Sequence, residues 1–220
     1  DDDLIVARFN IDGTFDTSFG TDGYTVSHYG VNNNSARSLV IQSDGKIVAG
    51  GESFDGTRTI ITLARYDSNG SIDAGFDTDG FLEVDLSPNP GGPSSLNKLQ
   101  IQSDGKLLLL TSYFLARLLP DGTFDPTFDV DGKTNSSLCT LGITVQPDGR
   151  IVTVGRTYAP GFTTDATICR TNVDGSIDII FNSGGSVVIP IFGTREGLEK
   201  VIVQSDGKIL ATGSSNQLEY

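Results

Sequence analysis

Arg8-Phe-Asn-Ile-Asp-Gly-Thr-Phe-Asp16 decides the fold, because the chain writes this stretch four times. It recurs as Arg65-Tyr-Asp-Ser-Asn-Gly-Ser-Ile-Asp73, as Arg117-Leu-Leu-Pro-Asp-Gly-Thr-Phe-Asp125 and as Arg170-Thr-Asn-Val-Asp-Gly-Ser-Ile-Asp178. Each copy opens with Arg, turns at Asp-Gly or Asn-Gly, continues with a hydroxyl residue and closes on Asp. Asp and Asn tolerate positive φ and hydrogen-bond their own backbone, and Gly accepts positive φ at no steric cost, so the stretch predicts a tight hairpin turn. The residue before each Arg belongs to an apolar run, as in Ile60-Ile-Thr-Leu-Ala64, and Phe19, Phe76, Phe128 and Phe181 stand three residues past the closing Asp, on the expected outgoing strand.

A second motif alternates with the first: Val40-Ile-Gln-Ser-Asp-Gly-Lys-Ile-Val48, then its relatives around Gly105, Gly149 and Gly207. Here two short, nearly continuous apolar runs flank a Ser/Pro-Asp-Gly turn, which predicts a hairpin whose strands are covered on both faces. First-motif glycines are 57, 52 and 53 residues apart, and second-motif glycines 60, 44 and 58. One unit is thus about 55 residues with two hairpins, or four strands, and that period predicts an all-β chain folded as a β-propeller. The chain opens on the second half of a unit and closes on the first half of one. The expectation is a single propeller domain over 1–220 with four four-stranded blades, 36–95, 96–140, 141–196, and 197–220 completed by 1–35. Pairing of the two termini would close the ring and cover its sheet edges; the rival is a four-unit window cut from a larger propeller.

Acidic residues outnumber basic ones 28 to 15, which argues against nucleic acid and anionic membrane as partners. Eleven Asp residues precede a Gly directly, so much of this charge is turn chemistry. No run approaches the roughly 20 apolar residues of a membrane helix, so no membrane insertion is expected. The chain has no Met and shows no signal peptide, which predicts a piece of a longer product, flanked by other domains. Cys139 and Cys169 fall where other repeats carry Ala, Ser or Gly; buried free thiols are the first reading, a disulfide the alternative.

In such blades both short turns lie at one end and the variable connections at the other, and a repeated scaffold with variable loops is the usual arrangement for recognition. Tyr29, Asn33, Phe54, Arg58, Tyr113, Tyr158, Phe162 and Arg195 are the candidate ligand-binding residues on that variable face. The repeated Asn-x-Asp-Gly-x-x-Asp pattern resembles a calcium loop, but Arg8, Arg65, Arg117 and Arg170 stand where a first ligand belongs. The expectation is therefore four structural pairs, Arg8 with Asp16, Arg65 with Asp73, Arg117 with Asp125 and Arg170 with Asp178, with no metal and no other cofactor. His28 is the single histidine and has no nucleophile motif beside it; neither a nucleophile elbow, a P-loop nor zinc spacing occurs, so no catalytic residue is assigned.

Together these motifs resemble the delta-60 repeat, a bacterial β-propeller repeat of unknown function whose units pair an Arg-Tyr-Asn-x-Asp-Gly-Ser-x-Asp-x-x-Phe-Gly stretch with a Val-Gln-Pro-Asp-Gly-Lys-Ile hairpin. Departures are local: Leu118-Leu119-Pro120 in the third copy, and Asp77, Asp129 and Asn182 in place of the Gly after Phe. The resemblance implies a secreted or surface-attached bacterial protein and supplies no catalytic residues. The expected function is a non-enzymatic extracellular module that binds or adheres to a surface glycan or protein. A structural spacer in a larger surface protein and a carbohydrate-active propeller enzyme are the alternatives.

Overall fold

Eight turns of the two motifs punctuate the chain, and the strands between them are short. A computed structural model describes residues 3–29, 32–89, 92, 94–136, 138–159, 163–189 and 195–216, with backbone alone for a few residues at strand ends. The second motif closes as a hairpin around three residues: Gln42 N donates to the Lys46 carbonyl at 2.8 Å and Gly45 N to the Gln42 carbonyl at 2.9 Å. Gly45 has φ of 86°, a left-handed conformation that a side chain would strain, which is why the motif needs glycine there.

The chain divides into two compact units, 1–107 with 119–123, and 108–118 with 124–220. Unit 1 holds the antiparallel pair β1 (Leu4–Ala7) and β2 (Tyr24–Ser27). It also holds a four-stranded antiparallel sheet in the order β3 (Asn32–Ile41), β4 (Ile47–Phe54), β5 (Thr59–Tyr66), β6 (Phe81–Val84), and the strand β7 (Leu96–Ile101). Register places Ile41 beside Ile47 and Ile47 beside Tyr66 at the turn end, with Phe54 beside Thr59 at the loop end.

Unit 2 takes all but the first residue of β8 (Leu107–Thr111), then β9 (Phe114–Leu118) and β10 (Lys133–Asn135). Its second sheet runs β11 (Gly142–Val145), β12 (Ile151–Ala159), β13 (Thr163–Thr171), β14 (Ser186–Ile189), the up-and-down order of one blade. A single parallel bridge, Thr164 to Arg195, adds β15 (Arg195–Val203) and its antiparallel partner β16 (Ile209–Asn216).

Sheet packs on sheet through the apolar faces. In unit 1, Leu4, Val6 and Phe19 meet Ile47, Ala49, Ala64 and Tyr66. In unit 2, Leu108, Leu110, Leu115 and Phe128 meet Ile151, and Val152 and Val154 meet Val201. The four residues Leu107 to Leu110 are all fully buried, which is what a continuous apolar run means in a strand covered on both faces.

One expectation is corrected. The first motif is not a hairpin with a long outgoing strand: its ladder is one bridge, Tyr66 to Ile72 in the second copy. The chain then turns at once, Phe76 N donating to the Asp73 carbonyl at 3.0 Å and Gly80 N to the Phe76 carbonyl at 2.9 Å. The phenyl ring is thereby driven into the core, and the fourth strand starts after Gly80. The blade expected from the two chain ends has its halves in different units, β1 and β2 in unit 1 and β15 and β16 in unit 2. β1 and β2 make a two-stranded sheet of their own, and β16 is the last strand of its sheet. Each half packs by its apolar face, Leu4 and Val6 in one cluster and Leu198, Val201 and Ile209 in another.

Candidate functional site

Each repeat's arginine is used several times over. Its Nε donates to the carboxylate eight residues on: Arg8 to Asp16 at 2.8 Å, Arg65 to Asp73 at 2.6 Å, Arg117 to Asp125 at 2.7 Å and Arg170 to Asp178 at 2.7 Å. Its guanidinium carbon lies over the following Phe ring, 4.7 Å from Phe19, 4.4 Å from Phe76, 4.5 Å from Phe128 and 4.5 Å from Phe181. In three copies Nη1 reaches a backbone carbonyl of the next copy's turn: Ser68 at 2.5 Å, Pro120 at 2.8 Å and Val173 at 2.5 Å. The planar fork thus joins a carboxylate, a ring and the neighbouring repeat, which a lysine's point charge would not do.

The acids of these turns are spent within them. Asp12 accepts from Thr14 N and Thr14 Oγ1, and Asp121 does the same with Thr123. Of each closing Asp, Oδ2 faces Arg while Oδ1 accepts a backbone N–H two residues on, from Ser18, Gly75, Thr127 or Ile180. Lys46 Nζ adds bonds to Asp67 at 2.7 Å and Asp73 at 2.9 Å. Lys46, then Arg65 and the Gly75 N–H, outweigh burial and hold the Asp73 carboxyl down to about 2. Among the described residues no group of three or more His, Cys, Asp and Glu side chains is arranged to hold a metal ion.

At the loop ends the candidate residues have distinct settings. Tyr29 stacks on Phe81 with centroids 4.6 Å apart and donates to Glu83 Oε1 at 3.2 Å; burial, and then the Glu83 charge, push its phenol up to about 12. Phe54 ends β4 half-buried. Arg58 ties its own loop to the next, bonding the Gly92 carbonyl and Asp85 Oδ2, each at 3.0 Å. Tyr113 is exposed on the β8–β9 turn, where Thr111 Oγ1 accepts from Tyr113 N and Phe114 N. Arg195 is exposed at the start of β15. Asn33 and Tyr158 lie in β3 and β12 with their side chains outside the described set, and Phe162 lies outside the described residues. His28 Nδ1 meets Asp3 Oδ1 at 2.6 Å, both residues exposed, just after β2 and just before β1.

Three features depart from the first reading of the sequence or add to it. Arg37 grips Glu52 through both Nε and Nη2 at 3.0 Å, and Ser95 Oγ donates to the same carboxylate. Cys139 and Cys169 form a disulfide, which corrects the first reading of free thiols. The segment between β10 and β11 folds back over Gly155, where an added Cβ would meet Cys139 Cα at 2.8 Å, and this brings Cys139 beside β13. Only the repeat offsets marked the two positions, and they carry no information about that fold-back. Beside the disulfide lies a cleft of about 320 Å³, lined by Leu138, Thr153, Ile177 and Ser186 among others.

Solved structures resemble the chain weakly. A catalytically inactive virginiamycin B lyase from Staphylococcus aureus, with quinupristin, is 15% identical at a TM-score of 0.45, over 96% of this chain and 53% of that one. The extracellular domain of a one-component system from B. thetaiotaomicron is 16% identical at a TM-score of 0.48, over 89% of this chain and 23% of that one. The chain therefore spans about half the length of the first and about a quarter of the second. No curated protein matches. The model of the domain of unknown function DUF5122 β-propeller matches residues 1–19, 42–76, 102–128 and 146–178, more than half of the chain. These segments contain all four Arg-to-Asp stretches and the Asp-Gly turns between them, and the chain belongs to this β-propeller family.

Proposed function

We propose that this propeller is a non-enzymatic, extracellular binding module of a bacterial surface or secreted protein, its partner a surface-exposed glycan or protein. One observation carries the reading: the turns of the repeats are consumed by internal contacts, whereas the loops at the opposite sheet ends differ in length and sequence and leave Tyr113 and Arg195 exposed. Exposed aromatic and arginine side chains on a rigid frame are the common anchors of recognition. The disulfide supports an oxidising compartment. No helix among the described residues is long and apolar enough to cross a membrane. The module works without a metal or cofactor, because its turn carboxylates are already engaged by Arg, Lys and backbone N–H groups.

The test is retention on arrayed bacterial glycans and on intact cells. Saturable binding that Tyr113→Ala and Arg195→Ala both weaken supports the proposal; binding indifferent to both variants removes the assigned face. The spacer reading draws on the arginine pins, which stiffen repeat against repeat, and it predicts no saturable binding in either format.

A further inference from the structure

The cleft beside the disulfide stands at a place in the repeat where unit 1 buries a tyrosine. Backbone bonds fix the correspondence. Arg65 N donates to the Gly80 carbonyl and Arg170 N to the Gly185 carbonyl, so Tyr66 and Thr171, each directly after the arginine, share one place in the sheet. Phe81 and Ser186, each directly after the glycine, share another. The bridges Tyr66 to Ile72 and Thr171 to Ile177 repeat the match. In unit 1 the Tyr66 ring is fully buried in an apolar cluster, with Ile72 and Phe81 packed against it. Its hydroxyl donates to Ser27 Oγ at 3.0 Å, and Ser27 is buried too. In unit 2 neither ring is present: Thr171 and Ser186 line the cleft of about 320 Å³, and Ile177 is exposed.

The serine that would receive the hydroxyl is kept. Ser27 lies four residues past Gly23, whose carbonyl accepts from Arg8 N; Ser136 lies four past Gly132, whose carbonyl accepts from Arg117 N. Each continues the same ladder, Ser27 beside Leu4, and Ser136 N donating to the Tyr113 carbonyl at 2.9 Å. Ser136 lines the cleft, and its Oγ is buried with no hydrogen-bond partner among the described residues. Leaving a buried hydroxyl unpaired is unfavourable, and Thr171 has no ring with which to reach it. Cys139 N donates to the Ser136 carbonyl at 3.0 Å, and the bond from Cys139 to Cys169 holds this turn against the sheet.

We propose that the cleft binds a para-substituted phenol. The ring takes the place that Tyr66 takes in unit 1, against Ile177 as Tyr66 lies against Ile72, and its hydroxyl donates to Ser136 Oγ. The para substituent leaves past Thr171, where the tyrosine has its own backbone attachment. Among the described residues no carboxylate lines the cleft, and the one cation there, Arg170, is already held by Asp178, so nothing selects a charged ligand. A preformed cleft of this volume, with apolar walls and a few convergent polar groups, is the general form of a small-molecule site. Neither Tyr113 nor Arg195 lines it, so this site is tested apart from the face assigned above.

The probe is p-cresol, titrated into the oxidised protein and followed by ligand-observed NMR, with toluene as the analogue that lacks the hydroxyl. p-Cresol is expected to bind saturably and about fivefold to tenfold more tightly than toluene, the worth of one hydrogen bond. Ser136→Ala is expected to erase that difference by weakening p-cresol alone. Thr171→Tyr supplies the phenol from the chain itself; it is expected to abolish binding of both probes and to raise the melting temperature, which also shows that the variant is folded. N-Acetyltyrosinamide distinguishes two sources of the same chemistry. Tighter binding than p-cresol assigns a tyrosyl side chain of another polypeptide, and weaker binding a free phenol. Absence of saturable p-cresol binding, equal affinity for p-cresol and toluene, or a folded Thr171→Tyr chain that binds p-cresol unchanged overturns the proposal.

Discussion

Arg117 and Asp125 are buried at 3% and 2% side-chain exposure, while Arg8 and Asp16 in the same roles keep 38% and 26%. Removing Arg117 strands a carboxylate in the core, so Arg117→Ala is expected to cost about 3–5 kcal/mol in urea unfolding. Arg8→Ala removes a solvated pair and is expected to cost about 1 kcal/mol or less. Equal losses at the two sites would show that the ring stacking, common to both, carries the energy instead. The Asp73 carboxyl, held down to about 2 from an ordinary value of 3.8, adds a pH signature. Its contribution is complete above the ordinary value and disappears as the pH falls from about 4 to about 2, since the unfolded chain takes up its proton first. Asp73→Asn is expected to flatten the acid limb of a stability-against-pH curve over that window.

At the scale of elements, the turns and strands that repeat were legible and the singular features were not. Asp-Gly and Asn-Gly dipeptides at fixed offsets report positive φ wherever they occur, and the buried leucine run of β8 reports a strand covered on both faces. Leu109→Ala is accordingly expected to cost about 2–5 kcal/mol, measured in the same way. The position after each Phe was also legible: Gly20, Asp77, Asp129 and Asn182 all have positive φ, and only Gly, Asp and Asn adopt it readily. The turn that follows Phe was mistaken for a strand because an apolar residue after a hairpin turn carries no mark of its backbone bond to Asp16, Asp73, Asp125 or Asp178. The choice between free thiols and a disulfide stayed open for a related reason: the bond's geometry depends on how a non-repeating link crosses the blade. The disulfide closes a loop of 30 residues, and its reduction is expected to cost about 3–4 kcal/mol, read as a lower melting temperature in dithiothreitol. A chelator is expected to leave that temperature unchanged, because the turn carboxylates already have their partners.

For the molecule as a whole, composition and period were enough to set the architecture class, while the variable loops, which carry the proposed function, were legible only as positions. Their settings differ in ways that no spacing announces. Arg58 bridges two loops, Tyr29 leans on Phe81, and Tyr113 and Arg195 remain outward. Polysaccharide incubated with the protein is expected to release no soluble product, as a binding module rather than a glycan-active enzyme requires. The bond between Cys139 and Cys169 also has a mechanical meaning. A chain pulled from its ends pays out about 3.3–3.6 Å per residue. With the bond intact, the 30-residue segment is bypassed and roughly 100 Å of slack is withheld. The same molecule is therefore a shorter tether when oxidised than when reduced, and single-molecule stretching would read that difference directly as contour length.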